Sequence, residues 1–490
     1  MEQIITRWIN SNITPLLCAA AAAAAGFYIL FYAPLVIIII VISILIILFC
    51  LFRVLSSLDT NSKSLHVIYV CSTGLAAGVV IGLFAANAGR NEINFGIPQN
   101  NITAIEGVLL EDPRIISGGK AMALISLQRC AGEHGLRASS KGEIYVFFPQ
   151  LNAGKLMQFG RGTVIFAEGI LRSGDNLTFS ADSLHVIKPA SSIERMRTGI
   201  RSNLINRFKD ETWGGLALAL LLGVRDNLDS DFTVSYRNAG LSYILALSGM
   251  HLAILTALIA FLLKKPLGIK ASLIIGAVII ILYCFLVGPM PSLNRAALMY
   301  ILGVIAILFA LPKKAISILS LSFLIQIIFT PAAGNSLSFI LSYLALLGIL
   351  LIGKALFSVL KGKIPDFILQ PLAISFGAFV ATSAVCSYTF GKIAPIGIIA
   401  GLAIVPLTAV FMIGSMIWLL LDVFSVSFIL SYPLHLLYHL MEMIASISGN
   451  VPGIYTNPLL VLVLSIVISF VIIVLDYKRR ISQLKLQPFL

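Results

Sequence analysis

Long apolar runs constrain the fold of this chain more than any other feature. Most of the sequence divides into segments of about 20 predominantly apolar residues, the length that an α-helix needs to cross the hydrocarbon core of a bilayer. Charged residues make up only 11% of the chain, whereas they make up about a quarter of a typical soluble domain. The sequence therefore predicts a polytopic α-helical membrane protein.

One polar insert and the positions of basic residues predict how the chain is organised. About three helices are expected in residues 1–87, and residues 212–478 are expected to hold about nine more spans plus a short re-entrant or interfacial segment. The predicted spans of the second group are residues 240–263, 269–287, 293–311, 315–330, 336–352, 366–386, 394–421, 427–447 and 458–475. Basic residues cluster between alternate spans, so the positive-inside rule predicts that both termini, including the tail 479–490, are cytoplasmic and that residues 88–190 are extracytoplasmic. The net charge of +13 fits either such loops or an acidic partner.

Residues 88–190 have short alternating segments in place of long apolar runs. Five strands are predicted, at Ile102–Leu110, Ala121–Cys130, Glu143–Phe148, Thr163–Leu171 and Leu177–Ile187. Five short strands are typical of a small OB-like β-barrel. A barrel that binds single-stranded nucleic acid needs a basic groove and stacking aromatics. The candidate aromatics fit a core equally well, so a DNA-binding barrel and a structural barrel both stay open; they are Tyr145, Phe147, Phe148 and Phe166.

Residues 191–211 are predicted to form an amphipathic helix on the outer surface of the membrane. Apolar residues recur there at helical spacing, at Ile193, Met196, Ile200, Leu204 and Phe208. Basic residues occupy the other positions, at Arg195, Arg197, Arg201, Arg207 and Lys209. The basic side chains are expected either to reach lipid headgroups or to form a rim that binds phosphates.

The densest polar passage beside a membrane span is Leu220–Leu252. Its candidate site residues are Arg225, Arg237, Ser248, Gly249 and His251. The helix that carries the last three is predicted to begin at Gly240. Polar groups are costly in lipid, so we expect these to face a cavity or a partner. The alternative is that the two arginines pair with neighbouring carboxylates and brace the entrance without touching substrate; these acids are Asp226, Asp229 and Asp231.

Two further segments place polar side chains in apolar surroundings. Asn294 and Arg295 follow Pro291 within one turn of a predicted helix start, where free N–H groups and a guanidinium together favour an anion. Ser342 lies near Ser338 on one predicted helix face, a pattern found both in helix packing and in binding sites.

Metal binding and catalysis have little support in the sequence. His435, His439 and Glu442 line one helix face with a spacing that suits a metal, but no further ligand completes a shell. We therefore predict neither a metal nor another cofactor. A P-loop and hydrolase-type carboxylate or histidine clusters are also lacking, so the chain is predicted not to be an enzyme, and whatever crosses the membrane is expected to be driven by another protein.

Five segments resemble the successive signatures of the ComEC-type competence proteins, the inner-membrane channels for transforming DNA. The segments are LLLGVRDNL, YRNAGLSYILALSGMHLAIL, GPMPSLNRAALM, SFILSYLALLGI and PIGIIAGLAIVPL. An outward OB-like domain after the third helix is also the layout of that family. The matched positions are Arg225, Gly240, Ser248, Gly249, His251, Arg295 and Ser342.

Three features depart from the family pattern. The family usually has a histidine where this chain has Tyr243, and an asparagine where it has Gly401. Many members also continue into a metallo-β-lactamase-like domain proposed as the nuclease that degrades one DNA strand. This chain ends first, so we expect nuclease activity to be absent, not needed, or supplied by another protein.

The resemblance implies a passive conduit for single-stranded transforming DNA across the bacterial cytoplasmic (inner) membrane during natural competence. The expected partners are single-stranded DNA, membrane lipid, a cytoplasmic ATPase or helicase, an outer DNA-binding receptor and a separate nuclease. The DNA path is predicted to include Arg225, Arg237, Ser248, Gly249, His251, Asn294, Arg295 and Ser342. The alternative is a secondary transporter of an anionic solute, with its site near the membrane midplane.

Overall fold

A computed structural model describes residues 15–32, 93–116, 119–132, 137–150, 156, 158–172 and 177–486. The chain divides into two compact units. The first, here called the membrane unit, comprises Met1–Ala86, Asp229–Cys284 and Pro289–Leu490. The second, here called the barrel unit, comprises Asn87–Leu228 and Phe285–Gly288.

The barrel unit is built on a closed five-stranded barrel. The described part of the unit contains eight strands, of which β2, β4 and β8 only extend the sheet; the eight are β1 Ile102–Leu109, β2 Arg114–Ile115, β3 Ala121–Gly132, β4 Arg137–Ser139, β5 Glu143–Phe148, β6 Val164–Arg172, β7 Thr178–Ala181 and β8 His185–Lys188. Strands β1, β3, β5, β7 and β6 are hydrogen-bonded in this order, and β6 pairs back with β1 to close the barrel. Strands β5 and β7 run parallel, whereas the other pairs are antiparallel. The small OB-like barrel predicted from the sequence is confirmed.

Alternation of side chains forms the barrel core. In β3, alternate residues from Ala121 to Leu127 are buried, as expected for a strand with one face inward. Phe148 is buried in this core, whereas Tyr145 on the same strand is exposed. The predicted strand Leu177–Ile187 is wrong as a single element. It is interrupted between β7 and β8, where the N–H groups of Asp182 and Ser183 both donate to the Glu168 carbonyl.

Helices make up most of the remaining described residues. In chain order they are α1 Pro15–Tyr32, α2 Ser192–Phe208, α3 Gly214–Leu222, α4 Ser230–Asn238, α5 Ser242–Leu245, α6 Gly249–Val287, α7 Pro291–Leu308, α8 Ala315–Phe329, α9 Leu337–Gly348, α10 Lys354–Leu360, α11 Asp366–Phe390, α12 Ile396–Asp422, α13 Phe428–Gly449 and α14 Pro458–Leu486. Helix α3, where a re-entrant or interfacial segment was predicted, is almost wholly buried and ends at Gly223, whose left-handed φ of 69° suits glycine. Two short strands, β9 Lys392–Ile393 and β10 Ile454–Tyr455, pair with each other in the membrane unit.

Six helices among the described residues are long and apolar enough to cross a membrane. They are Gly249–Val287, Pro291–Leu308, Leu337–Leu360, Asp366–Phe390, Ile396–Asp422 and Pro458–Arg479. The polytopic helical class is thereby confirmed. The number is smaller than the predicted nine for three reasons. Helix α8 has only 15 residues, and α13 is long enough but less apolar than the six. Helix α6 contains two predicted spans, with a non-helical break at Gly268. Of the helices predicted in residues 1–87, α1 is described, and the others lie outside the described residues.

The span predicted to begin at Gly240 begins instead at Gly249. Helix α4 ends at Asn238, Gly240 has a φ of 73°, and Ala246, just after the single turn α5, is extended. Gly240 has no room for a side chain either, because a Cβ there would lie 2.9 Å from the Cβ of Ala394. Ser248, Gly249 and His251 therefore lie at the start of a membrane helix.

Candidate functional site

A hydrogen-bonded box closes the start of α6. The Met250 N–H donates to Ser248 Oγ at 3.3 Å, and the Ser248 N–H donates to His251 Nδ1 at 3.1 Å. In a capping box the residue that reaches back is usually Glu or Gln, and here an imidazole takes that role. Because Nδ1 accepts a hydrogen bond, the proton of the neutral ring is on Nε2.

His251 therefore presents a donor that the protein does not use. Its side chain is fully buried, and Nε2 has no hydrogen-bond partner among the described residues. A buried donor without a partner costs about 1–3 kcal/mol, so a ligand oxygen at Nε2 would recover that energy.

Arg295 is a second buried donor close to the same helix start. It lies one turn into α7, is 7% exposed, and donates from Nη1 to the carbonyl of Ser342. Its guanidinium lies over the ring of Tyr343, 5.7 Å from the centroid. Within the described part of the chain, Nε has no partner and no carboxylate lies within ion-pair distance.

Gly249 lets Arg295 approach the helix start that also carries His251. A Cβ at Gly249 would lie 3.3 Å from Arg295 Nη2, so the absence of a side chain lets the guanidinium approach the first turn of α6. The start of α7 is tied to the same place, because Ser292 Oγ donates to the carbonyl of Leu247 at 2.6 Å. The start of α6 thus combines a helix N-terminus, a neighbouring guanidinium and an imidazole N–H, each of which favours an anion.

A buried polar network holds Arg295 from behind. The hydroxyl of Tyr343 donates to Gln326 Oε1 at 3.0 Å, and Gln326 Nε2 donates to the carbonyl of Pro291 at 3.3 Å. Ser322 Oγ lies 3.3 Å from the same hydroxyl. None of Ser322, Gln326 and Tyr343 was predicted as a site residue from the sequence. A single amide in the apolar helix α8 was the signal that marked Gln326.

The structure brings together five of the eight predicted path residues. Ser248, Gly249, His251, Arg295 and Ser342 form the site, although Ser342 contributes its carbonyl rather than its hydroxyl. The other three are placed differently.

Asn294 is exposed beside Arg295, and Arg237 is exposed on α4 with no paired carboxylate among the described residues. Arg225 belongs to the barrel unit. Two of the acids proposed as its alternative partners have other roles, since Asp229 caps α4 and Asp226 accepts the N–H of Ile115 at 3.1 Å. Burial raises the pKa of Asp226, although the Ile115 N–H and nearby arginine charges oppose this shift.

The histidine pair of α13 shows no metal-binding geometry. His439 Nδ1 pairs with Glu442 Oε2 at 2.9 Å, and the rings of His435 and His439 meet edge to face with centroids 4.4 Å apart. Among the described residues, no group of three His, Cys, Asp or Glu side chains comes together as a set of metal ligands.

The two residues that depart from the family pattern lie against each other. A Cβ at Gly401 on α12 would lie 2.8 Å from the hydroxyl of Tyr243 on α5. The tyrosine therefore occupies the space into which a side chain at position 401 would extend. Nearby, Gly397 approaches the carbonyl of Ala239, where a Cβ would lie 2.9 Å away, so α12 begins against the turn between α4 and α5.

Arginines of the barrel unit are used differently. Arg197 on α2 is 1% exposed and forms ion pairs with Asp112 and Glu194, and Arg161 also pairs with Glu194 at 2.7 Å. Burial tends to raise the pKa of Glu194, but hydrogen bonds and charges from Arg161 and Arg197 outweigh it and lower the pKa. Arg201 lies 3.6 Å from Asp112. Arg197 and Arg201 therefore face carboxylates, which excludes them from the phosphate-binding rim considered for this helix.

These features define a multi-pass membrane protein with a small β-barrel and a buried cationic site at a helix start. Residues 220–480 match the profile of the competence protein family, and the chain belongs to that family. It is 25% identical over 227 residues to ComE operon protein 3 of Bacillus subtilis (strain 168), a match that covers 44% of this chain and 28% of that protein. It is 28% identical over 223 residues to an uncharacterized protein of Aquifex aeolicus (strain VF5), covering 44% of this chain and 51% of the relative. The chain thus spans about half, or less, of the length of these relatives.

Proposed function

We propose that this chain is the passive conduit through which single-stranded transforming DNA crosses the bacterial cytoplasmic membrane. Family membership supports a role in competence, and the six apolar helices supply a membrane domain. The observation that carries the finer proposal is the pair of buried donors without partners, His251 Nε2 and Arg295 Nε, at the start of α6. Both are donors, so the missing group is an acceptor, and each DNA phosphate carries acceptor oxygens and a negative charge.

The proposal includes a membrane topology for the chain and a set of partner proteins. The barrel is extracytoplasmic, both termini are cytoplasmic, and movement of the strand is driven by a separate ATPase or helicase. An outer receptor delivers the DNA, and a separate nuclease degrades the other strand. Arg225, Arg237 and Asn294 are exposed, so in this proposal they contact phosphates before the strand reaches Arg295.

The test is uptake of labelled DNA into the cytoplasm of a strain complemented with the wild type or with variants. Arg295→Ala is expected to lower internalised label at least about tenfold, because a charge-assisted hydrogen bond contributes roughly 1.5–3 kcal/mol. Surface-bound DNA and the membrane level of the protein should not change. Thr408→Val is the control, since Thr408 is also buried but donates to its own helix at the carbonyl of Ile404.

Two substitutions test whether His251 acts as a hydrogen-bond donor to the substrate or only as a helix cap. Glu and Gln both accept the Ser248 N–H as a capping box requires, but only Gln also carries N–H groups. His251→Gln is therefore expected to retain part of the uptake, and His251→Glu to abolish it at a normal protein level. Equal uptake by both variants would show that the imidazole serves only as a cap.

The burial of the site favours one alternative, a secondary transporter of an anionic solute. His251 is 0% and Arg295 7% exposed, as expected for a small closed binding site. The two functions differ in purified protein reconstituted into liposomes. If the wild type restores no DNA uptake in cells, but liposomes accumulate inorganic phosphate in an Arg295-dependent manner, the conduit proposal is wrong and the transporter is supported.

A further inference from the structure

Helix α2 exposes the apolar residues of its first half, whereas Phe208 at its end is buried. Ile193, Met196 and Ile200 are 64%, 61% and 46% exposed, and their spacing of three and four residues places them in one stripe along the helix. This arrangement is unusual, because the apolar stripe of a surface helix ordinarily packs against the core, whereas here Arg197 is buried and the stripe is exposed.

The side of α2 that packs on the protein lies about 100° round the helix from the stripe, since Arg197 and Arg201 directly follow Met196 and Ile200. Arg197 and Arg201 fill that side, where the carboxylates of Asp112 and Glu194 hold them. Rotating the helix to bury the apolar stripe would separate a buried arginine from two carboxylates, at a cost of about 3–5 kcal/mol for a broken buried pair. The orientation of α2 is therefore fixed by its ion pairs.

The same two arginines join α2 to the end of a membrane helix. Arg197 Nη1 donates to the carbonyl of Leu286 at 3.2 Å, and Arg201 Nη1 donates to the carbonyl of Val287 at 3.2 Å. Leu286 and Val287 are the last residues of α6, and all four residues belong to the barrel unit. The end of a membrane-crossing helix lies at the level of the lipid headgroups, so these hydrogen bonds hold α2 at that level.

We propose that α2 lies in the boundary between headgroups and acyl chains, with Ile193, Met196 and Ile200 inserted into lipid. Interfacial helices bury their apolar face roughly 5–10 Å into this boundary. A lipid occupant is favoured over a protein partner because α2 is bonded to the end of a membrane helix, where lipid is the nearest apolar phase. This inference is independent of what the chain transports.

Bromolipid quenching of the full-length chain in proteoliposomes tests the contact. Met196→Trp places an indole on the stripe, and Ser202→Trp places one on an exposed position of the same helix away from the stripe. After subtraction of wild-type emission, phospholipids brominated along the acyl chain should quench the indole of Met196→Trp about twofold more than that of Ser202→Trp. Aqueous acrylamide should show the opposite order. If Met196→Trp does not fold, Ile193→Trp probes the same stripe.

Two outcomes would overturn the proposal. Equal and weak bromolipid quenching at both positions, with strong acrylamide quenching, would mean that the stripe faces water. An indole on the stripe that is shielded from both quenchers would mean that a protein, either a second copy of this chain or a partner, covers it.

Discussion

Arg197 in the barrel unit and Arg295 in the membrane unit are both buried, yet their surroundings are opposite. Arg197 is held by two carboxylates and also donates to a helix-end carbonyl. Arg295 has no carboxylate partner among the described residues and keeps one N–H unused. A buried charge without a counterion is expensive, so it is retained where a function requires it. The comparison distinguishes an arginine that stabilises the fold from one that is available to a ligand.

The largest expected effect is a loss of stability when Arg197 is replaced, which tests whether this arginine stabilises the fold. Arg197→Met leaves Asp112 and Glu194 without their shared partner and should lower the free energy of unfolding of the barrel unit by about 3–5 kcal/mol. Protease protection of the purified chain, followed against denaturant, measures the loss. The control is Arg195→Met, an exposed arginine on the same helix. A loss no larger than that of the control would show that the ion pairs do not stabilise the unit.

If Arg295 is instead available to a ligand, Arg295→Met should change DNA uptake and not stability. Arg295→Met should leave stability within about 1 kcal/mol of the wild type or raise it, because removal of an uncompensated buried charge offsets the loss of the Ser342 hydrogen bond and of the cation–π contact with Tyr343. DNA uptake should still fall about tenfold. Stability is measured on the purified variant, and DNA uptake is measured in a strain complemented with the same variant. If Arg295→Met destabilises the chain as much as Arg197→Met does, the contrast between the two arginines is wrong.

A smaller effect tests whether the membrane unit depends on specific packing away from Arg295. Gly401→Asn alone should destabilise the chain, because its Cβ would lie 2.8 Å from the Tyr243 hydroxyl. Tyr243→His shortens the opposing side chain, so the double variant should recover about 1 kcal/mol relative to the sum of the single changes. A double-mutant cycle of unfolding free energies gives this coupling. Additive effects would mean that the two positions are independent.

Acid should weaken the barrel unit through Glu194. Its carboxyl has a lowered pKa in the folded chain, so its stabilisation is fully present above the ordinary value of 4.5 and is lost as pH falls through the folded value. The slope of unfolding free energy against pH below 4.5 should be smaller in Glu194→Gln. An unchanged slope in this variant would contradict the assigned pKa shift.

The sequence predicted those parts of the fold that follow from local periodicity. Side-chain alternation located the strands of the barrel, and the length of apolar runs located most membrane helices. It failed at the start of α6, because a positive φ at Gly240 and its contact with Ala394 depend on tertiary structure. It also failed for Arg197. Helical spacing placed this arginine on a polar face, but its burial depends on Asp112, which is 85 residues away in the sequence.

The candidate site was predicted in part for a similar reason. Residue types that are costly in lipid pointed to His251 and Arg295, and both lie in the site. The roles of Ser342 and Gly249 could not be predicted from side-chain chemistry. Ser342 acts through its backbone carbonyl, and Gly249 acts because it has no side chain. Backbone groups carry no distinguishing sequence signal.

The hydrogen bond from Arg197 to Leu286 has a consequence for biosynthesis. The donor leaves the ribosome 89 residues before its acceptor, an interval of several seconds at roughly 5–20 residues per second. The barrel unit is therefore incomplete when its last strand emerges, and it acquires its final partners only after α6 has been translated. The hydrogen bonds from α2 to Leu286 and Val287 are thus the last that the unit can form during synthesis, since Phe285–Gly288 is its final segment in the chain.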